Sequence, residues 1–312
     1  MSSDFLQAMA ASSRERVQGA RRKLSDHALL DLALATPEPP PLRRHPHEFD
    51  LIAELKLRSP AAGQLQSGDE DVAARVTAYA RAGAVAVSIL TEPSRFDGAM
   101  SHLETGAQSL APLRVPAMRK DFLVDPYQVI EARAAGAGGV LVILRMLPRA
   151  ETQALLNCAR SLGLFVLLEA FDEHDIEHMH ELVAANEASA DSIAATGAAS
   201  AEGTGREPLA LLAGVNCRDL TTLQVVPERL EKLAPLLPST VPRVAESGVG
   251  TVEDARRVSA AGYELALVGS ALMQGGDPGS LARAMLEAGR AAHRADAGQS
   301  TRLSQQTANR PG

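Results

Sequence analysis

The chain has 312 residues, of which 46% are apolar and 22% charged, a composition ordinary for globular proteins. This length allows one large α/β domain with extensions or two small domains. The formal charge of −7 argues against a protein that binds nucleic acid by bulk electrostatics, but it leaves room for a local basic pocket. The two cysteines, Cys158 and Cys217, form no CxxC pair, so neither a disulfide framework nor a zinc site is indicated. Without a signal-peptide pattern or a membrane-length apolar run, a soluble, cytoplasmic protein is expected.

Residues 1–48 are predicted to form an extension that lies outside the repeating part of the chain. Apolar residues between Phe5 and Leu24 recur at helical spacing and indicate an extra helix. A proline-rich link follows at 37–46. Consecutive prolines lack backbone donors and disfavour helix in the preceding residue, so this link is expected to be extended.

From about Phe49 to Ala288, short apolar runs alternate with amphipathic helical patterns. The runs are rich in Val, Ile, Leu and Ala without strict alternation, which is typical of parallel strands covered on both faces. Eight strands are predicted, at 51–56, 84–90, 115–120, 139–143, 165–169, 211–216, 241–246 and 265–269. Helices are predicted between or after them, at 71–82, 126–135, 149–162, 172–184, 227–237, 251–261 and 279–288, and many end at a glycine.

Eight βα units in one chain predict a (β/α)8 barrel over residues 49–288, with a doubly wound sheet as the alternative. The segment 185–207 is rich in Ala, Ser, Gly and acidic residues and is interpreted as a flexible insertion. Because it precedes the sixth strand, it should emerge at the N-terminal face of a barrel. Residues 289–312 lack apolar periodicity and are predicted to be a disordered tail.

Charged and polar side chains end most of the predicted strands, where a barrel forms its active site. The first strand carries two of them on one face, and later strands add one each: Glu54, Lys56, Lys120, Glu169, Asn216 and Glu246. Lysines and carboxylates that converge on one mouth shift one another's pKa and can act as general acids and bases. Any one of them could instead be a structural salt bridge, but five charged residues at equivalent positions of four strands are harder to explain in that way. Arg119 and Asp121, which flank Lys120, are expected to point away from it and to bridge to helices.

Two Gly/Ser loops after the seventh and eighth strands predict a phosphate site, because backbone N–H groups at helix starts bind phosphate. The residues concerned are Ser247, Gly248, Gly269 and Ser270. Each loop alone could be a tight turn that needs glycine, so the pair is the more specific signal. Ser59 could add a hydroxyl donor, and Lys56 and Arg218 could add positive charge.

Several unlinked motifs resemble the indole-3-glycerol phosphate synthase family, in the right order, over about residues 49–285. They are Ile-Ala-Glu-Leu-Lys at 52–56 with Ser-Pro at 59–60, Arg-Lys-Asp-Phe at 119–122, Asp-Pro-Tyr-Gln at 125–128, Val-Asn-Cys-Arg-Asp-Leu at 215–220, Ala-Glu-Ser-Gly at 245–248 and Val-Gly-Ser-Ala-Leu-Met at 268–273. The resemblance implies a (β/α)8 barrel with an N-terminal helical extension. It also implies the ring closure, decarboxylation and dehydration of 1-(2-carboxyphenylamino)-1-deoxyribulose 5-phosphate to indole-3-glycerol phosphate in tryptophan biosynthesis, without cofactor or metal.

The resemblance also implies roles for individual residues. Lys120 would protonate the substrate carbonyl and Lys56 would hold the benzoate carboxylate, while Glu54, Lys56 and Glu169 share the proton transfers of dehydration in an undecided way. Asn216 and Glu246 would orient substrate hydroxyls and the lysines. Phe96 and Phe122 resemble apolar walls for the anthranilate ring. The sequence departs from the family at Ala61-Ala62, Ala99 and Cys217, none of which removes a proposed catalytic group.

Other interpretations remain open at the level of sequence. A phosphoribosylanthranilate isomerase would share the phosphate loops, although the Glu54/Lys56 pair with Lys120 argues against it. A non-catalytic barrel that acts as a scaffold is a second rival. His174, His178 and His180 could hold a metal but are better explained as a solvated helix face. The expected partner is a small phosphorylated substrate, with no nucleic acid or membrane, and the protein is expected to be a monomer or weak homo-oligomer.

Overall fold

A computed structural model describes residues 2–60, 63–65, 70–196, 209–220, 222–274 and 277–308. Its centre is a closed barrel of eight parallel strands that follow one another in chain order around the ring, with the first paired to the last. The strands are β1 Asp50–Leu55, β2 Ala86–Leu90, β3 Ala117–Lys120, β4 Gly139–Ile143, β5 Phe165–Ala170, β6 Leu211–Asn216, β7 Arg243–Glu246 and β8 Leu265–Val268. The predicted (β/α)8 barrel is therefore confirmed, and the doubly wound alternative is wrong.

Helices precede the barrel and alternate with its strands. They are α1 Ser2–Arg21, α2 Asp26–Ala35, α3 Val72–Arg81, α4 Pro93–Phe96, α5 Met100–Leu110, α6 Pro126–Ala134, α7 Arg149–Ser161, α8 Glu173–Thr196, α9 Glu228–Leu233, α10 Val252–Ala260, α11 Ser270–Gln274 and α12 Pro278–Ala308. Short 3₁₀ helices lie at Ala111–Leu113, Leu144–Met146 and Ala234–Leu236. Within these described ranges, every helix is too short or too polar to serve as a membrane span.

The barrel separates two apolar layers. Inside it, side chains from successive strands fill the lower part of the lumen, among them Ile52, Met118, Leu141, Phe165 and Leu212. Outside it, the opposite faces of the strands pack against the helices, as Val87, Val142 and Val215 do. Coverage on both faces explains why the strands read as continuous apolar runs. The interior positions nearest the C-terminal strand ends are the ones that become polar.

The N-terminal extension consists of two helices where one was predicted. Ser25 caps α2 by accepting a hydrogen bond from the backbone N–H of Ala28 at 3.3 Å. The extension is fastened to α6, because the Thr36 hydroxyl donates to the backbone carbonyl of Ala134 at 3.1 Å and Arg133 donates to that of Thr36 at 2.9 Å. Residues 37–45 of the proline-rich link carry neither helix nor strand.

Two predictions about irregular segments need correction. The supposed flexible insertion at 185–207 begins as helix, since α8 runs on to Thr196, while residues 197–207 lie outside the described residues. The supposed disordered tail also begins as helix, since α12 runs to Ala308 and only 309–312 lie outside the described part. The Ala-rich composition of both segments favours helix even where apolar periodicity is weak.

Hydrogen bonds to distant parts of the chain hold residues 289–290, at the start of the supposed tail. The apolar pattern of the sequence gives no sign of these contacts. The Ser259 hydroxyl donates to the backbone carbonyl of Gly289 at 2.8 Å, and a side chain at Gly289 would run into the ring of Phe49. Arg290 donates to the backbone carbonyl of Phe49 at 3.1 Å and to Asp50 at 3.2 Å. The helix therefore continues because it closes the base of the barrel.

Candidate active site

The predicted site residues surround one cavity of about 390 Å³ at the C-terminal ends of the strands. This volume lies in the range of small-molecule sites. The cavity wall includes every candidate named from sequence: Glu54, Lys56, Ser59, Phe96, Lys120, Phe122, Glu169, Asn216, Arg218, Glu246, Ser247, Gly248, Gly269 and Ser270. The barrel thus brings together side chains that are separated by more than two hundred positions in sequence.

The first polar cluster is the pair at the end of β1. Lys56 Nζ donates to Glu54 Oε1 at 2.6 Å, and the second carboxylate oxygen, Oε2, is buried without a hydrogen-bond partner. Burial alone would raise the pKa of Glu54, but the positive charges of Lys56 and Lys120 outweigh it, so this pKa lies below its ordinary value. Gly269 lies against the pair, and a Cβ there would stand 2.3 Å from Glu54 Oε1. Glycine at position 269 therefore leaves space for the Glu54 and Lys56 side chains.

The second polar cluster centres on Lys120 at the end of β3. Its Nζ lies 3.2 Å from Glu169 Oε2 and 3.2 Å from Glu246 Oε2. Asn216 Nδ2 donates to the same Glu169 oxygen at 3.3 Å. Strand register produces this arrangement, since Asn216 pairs directly with Glu246 across β6 and β7. A Cβ at Gly214 would stand 2.2 Å from Glu246 Oε1, so glycine is needed beneath that carboxylate.

Lys120 and Glu246 have displaced pKa values for different reasons. Burial opposes the charged form of Lys120, but Glu169, Glu246 and Glu54 more than compensate, so its pKa is raised. Burial and then the nearby charge of Glu169 raise the pKa of Glu246 well above its usual range. Strongly displaced pKa values in a cleft are typical of catalytic groups. The cluster therefore holds a charged ammonium in contact with two carboxyl groups.

The predicted phosphate loops form the side of the cavity next to β7 and β8. Ser247 and Gly248 both adopt left-handed backbone, with φ of 65° and 70°. A Cβ at Gly248 would lie 2.9 Å from Cys217 Sγ, so the turn needs glycine for space as well as for conformation. After the turn, Thr251 and Asp254 form a capping box that starts α10.

Arg218 lines the same side of the cavity, and its guanidinium already donates one hydrogen bond within the protein. Its Nη1 donates to the backbone carbonyl of Leu223 at 2.7 Å, which ties down the loop after β6. Its backbone N–H donates to Asn216 Oδ1 at 2.9 Å, which fixes the amide that reaches Glu169. Arg218 thus contributes both positive charge and the position of Asn216.

Apolar walls come from Phe96 and Phe122 as predicted, and also from α1, which sequence reasoning missed. The Phe96 and Phe122 ring centroids are 6.2 Å apart, and Phe5 meets Phe122 edge-to-face at 5.9 Å. Leu6 also reaches the cavity wall. The apolar spacing of residues 5–24 indicated a helix, but nothing in that pattern showed where the helix docks.

Arg119 and Asp121 bridge to helices as expected, although Asp121 also borders the cavity. Arg119 donates to the backbone carbonyl of Gln128 at 2.7 Å and pairs with Glu131 on α6, and Asp121 pairs with Arg16 on α1. The three histidines of α8 do not converge. His180 contacts the carbonyl of Leu236, His174 lies beside Glu177, and the Nε2 of His178 is buried without a hydrogen bond. Among the described residues, no group of three or more His, Cys, Asp or Glu side chains is arranged to hold a metal ion.

Comparison with known proteins gives the family. A family model described as "Indole-3-glycerol phosphate synthase" matches residues 6–186 and 208–285. A protein of that name from Opitutus terrae is 36% identical over 288 residues, covering 89% of this chain and 97% of that protein. Another from Micrococcus luteus is 37% identical over 286 residues, covering 89% of this chain and 96% of the relative. The chain belongs to the indole-3-glycerol phosphate synthase family. The predicted family, and with it an enzyme of the lyase class, is confirmed.

Solved structures outside the family share the fold at low sequence identity. The 3-hexulose-6-phosphate synthase of Salmonella typhimurium has a TM-score of 0.55 at 13% identity, covering 78% of this chain and all of that chain (100%). These likenesses show the barrel alone. The family model leaves residues 187–207 of this chain unmatched. These residues lie inside the segment that was predicted to be an insertion.

Proposed function

We propose that this cavity carries out the reaction of the indole-3-glycerol phosphate synthase family with the residues described above. The substrate is a small phosphorylated molecule, 1-(2-carboxyphenylamino)-1-deoxyribulose 5-phosphate. Its ring carbon attacks the ketone carbonyl, the benzoate carboxyl leaves as CO₂, and a hydroxyl leaves as water. The single observation that carries the proposal is the presence of two lysine–carboxylate clusters, at Lys56 and Lys120, on the wall of one cavity that also has Gly/Ser loops.

Lys120 is the acid for ring closure. As the aromatic carbon attacks, negative charge develops on the carbonyl oxygen and must be neutralised by a proton. The raised pKa of Lys120 keeps its ammonium protonated at neutral pH, because Glu169, Glu246 and Glu54 lie close enough to stabilise the charge. Glu169 and Glu246 contact Nζ and fix its position at the end of β3. The proton is therefore held where the carbonyl would be bound.

Lys56 binds the benzoate carboxylate, and Glu54 then takes part in dehydration. Lys56 is paired with Glu54, and only 12% of its side chain is exposed, so an anion that enters the cavity meets a poorly hydrated ammonium. Glu54 Oε2 makes no hydrogen bond, whereas Glu169 Oε2 already accepts from Lys120 and Asn216. Glu54 therefore keeps one oxygen without a hydrogen bond, with which it removes a proton, and Lys56 is the adjacent acid for the departing hydroxyl.

The remaining residues orient the substrate. Backbone and hydroxyl donors at Ser59, Ser247, Gly248, Gly269 and Ser270 suit a phosphate group, and Arg218 adds positive charge on that side. The rings of Phe96 and Phe122 form an apolar slot for the anthranilate ring. Asn216 and Glu246 hold Lys120 and Glu169 and can hydrogen-bond substrate hydroxyls. The cytoplasmic location and the monomeric or weakly oligomeric state remain predictions.

The test is turnover by the purified protein. Incubation with the carboxyphenylamino-deoxyribulose phosphate should produce the fluorescence of an indole product, and mass spectrometry should show the loss of CO₂ and water. The apolar slot and the carboxylate site predict that the analogue without the benzoate carboxylate is not converted. A folded sample that leaves the substrate unchanged would contradict the proposal and favour a non-catalytic barrel.

A further inference from the structure

The segment that follows Lys120 is gripped by the N-terminal helix. Arg16 on α1 forms a two-pronged pair with Asp121, with Nη1 to Oδ2 and Nη2 to Oδ1 both at 2.8 Å. The Asp121 side chain is fully buried, and that of Arg16 is 28% exposed. A planar guanidinium that meets a carboxylate with two parallel bonds fixes its orientation as well as its charge.

Asp121 passes this orientation on to its neighbours in the chain. Its Oδ1 accepts a hydrogen bond from the backbone N–H of Phe122 at 2.8 Å, and its Oδ2 accepts from the Thr91 hydroxyl at 2.7 Å. Arg119 adds a further contact to Oδ2 at 3.2 Å. Both carboxylate oxygens of Asp121 therefore accept hydrogen bonds. The carboxylate that pairs with Arg16 also fixes the peptide between Asp121 and Phe122.

Two more contacts from α1 reach the next residue. The Ser13 hydroxyl donates to the backbone carbonyl of Phe122 at 2.5 Å, and Gln128 Nε2 donates to that hydroxyl at 2.8 Å. The Phe5 ring packs edge-to-face on the Phe122 ring. The backbone N–H, the carbonyl and the ring of Phe122 are thus each fixed by α1, directly or through Asp121.

We infer that Arg16 is a positioning residue of the active site, which acts through Asp121 to place Phe122 against the substrate ring. The inference rests on the proposed function for the identity of that ring. Lys120 depends less on Arg16, because its ammonium is held from the other side by Glu169 and Glu246. Loss of Arg16 should therefore weaken substrate binding more than it slows the chemical step.

Arg21 provides a matched control on the same helix. It forms the same kind of two-pronged pair with Asp125, at 2.8 Å and 2.7 Å, and Asp125 Oδ1 accepts from the backbone N–H of Tyr127 at 2.8 Å. This pair also joins α1 to the connection between β3 and α6, but it is exposed and does not border the cavity. A change that merely loosened the docking of α1 would affect both arginines alike.

The experiment compares Arg16→Met, Arg16→Lys and Arg21→Met with the unaltered full chain. Steady-state kinetics should give a KM raised roughly 10- to 100-fold in Arg16→Met with a smaller fall in kcat, because a small displacement of a substrate-contacting group is costly. Arg16→Lys keeps the positive charge but cannot form two parallel hydrogen bonds with Asp121. Its KM should lie between those of the unaltered protein and Arg16→Met. Arg21→Met should match the unaltered protein in both constants, and its melting temperature should fall less than that of Arg16→Met, because only Arg16→Met leaves a fully buried carboxylate without its arginine.

Amide hydrogen exchange supplies a readout that does not depend on turnover. Arg16→Met should accelerate exchange of the Phe122 amide and leave that of Tyr127 unchanged, and Arg21→Met should do the reverse. Equal KM changes in the two Met variants, or an unchanged Phe122 amide in Arg16→Met, would overturn the inference. If the unaltered protein has no turnover, the proposed function fails, and the exchange result alone decides whether Arg16 positions Phe122.

Discussion

The two ends of the barrel carry buried charges of very different kinds. At the N-terminal end, Asp50 is fully buried and both its oxygens are engaged, by the His45 backbone N–H at 2.8 Å, by His45 Nδ1 at 2.7 Å and by Arg290 at 3.2 Å. At the C-terminal end, Glu54 Oε2 and Glu246 Oε1 are equally buried but have no hydrogen-bond partner. At the N-terminal end the buried carboxylate has its hydrogen bonds within the fold. At the C-terminal end two buried carboxyl oxygens have no partner among the described residues and are left for a bound substrate.

This difference separates stability from function within one fold. The base joins the start of the barrel to the end of the chain, since the proline-rich link contributes His45, β1 contributes Asp50 and α12 contributes Arg290. The mouth gathers its charges around a cavity instead. Unsatisfied buried polar groups cost free energy, so their presence at the mouth is what a site built for substrate, rather than for stability, would show.

The largest expected effect follows from removing the central charge of the mouth. Lys120→Met should lower kcat by about 100- to 10,000-fold, the usual contribution of general acid catalysis, while the protein stays folded. The matched control is Lys232→Met, which breaks an exposed pair with Glu173 and should leave kcat unchanged. Indole fluorescence measures kcat, and circular dichroism shows whether each variant is folded. A Lys120→Met variant with the unaltered rate would show that Lys120 is not the acid.

A smaller effect is expected from crowding the mouth without removing a charge. In Gly269→Ala the new Cβ would stand 2.3 Å from Glu54 Oε1, so the Glu54–Lys56 pair must move. We expect kcat/KM to fall by roughly 100-fold. Gly19→Ala in α1, whose Cβ would lie 3.7 Å from the Arg22 guanidinium, should leave kcat/KM unaltered. Equal activity of the two variants would mean that the exact position of the pair is unimportant.

The buried carboxylate next to the mouth should make stability depend on acidity. Burial would raise the pKa of Asp121, but Arg16, Arg119 and Thr91 outweigh it and lower the pKa to about 2. Because the folded pKa lies below the unfolded value of about 3.9, the charged form stabilises the fold by about 2 to 3 kcal/mol above that pH. This contribution should fade as pH falls from about 4 towards 2.

Urea unfolding of the unaltered protein and of Asp121→Asn measures this contribution. The difference in unfolding free energy between the two proteins should be constant from pH 7 to pH 5 and should shrink below pH 4. A difference that stays the same at pH 3 would show that the Asp121 carboxylate is not preferentially charged in the folded state.

The smallest effect is expected at the base. Arg290→Met should lower the free energy of unfolding by about 1 kcal/mol, since Asp50 keeps its contacts with His45. The kcat of this variant should not change. Arg256→Met, which breaks an exposed pair with Glu253, is the control and should alter neither property. A fall in kcat without a fall in stability in Arg290→Met would break the division between base and mouth.

Sequence alone predicted the barrel and the residues around its mouth because both depend on local patterns. Each strand is an apolar run, and register carries its last polar residue to the common rim, as with Glu169 and Glu246. Strand bounds differed by no more than two residues, and the span 139–143 matched Gly139–Ile143 in full. The helix Met100–Leu110 was missed, because Ser, Thr and Gly weaken its helical pattern.

What the sequence did not show are contacts between distant segments. Nothing in the spacing of Phe5 and Arg16 indicates that their helix docks beside Lys120. The hairpin formed by Arg58–Ser59 and Gly63–Gln64 is too short to give a strand pattern. The helical start of the supposed tail depends on Phe49 and Asp50, which lie far away in the chain. Periodicity reports which face of an element is apolar, not which partner covers it.

The most direct test of the division between mouth and base is Glu246→Gln. Burial and then the charge of Glu169 raise the pKa of Glu246, so the ionised form of Glu246 is less favourable in the folded protein than in the unfolded chain. A neutral glutamine of the same shape removes that cost but changes the hold on Lys120. We predict that kcat falls while the melting temperature stays equal or rises. A lower melting temperature together with an unaltered kcat would contradict the account, because Glu246 would then serve stability rather than function.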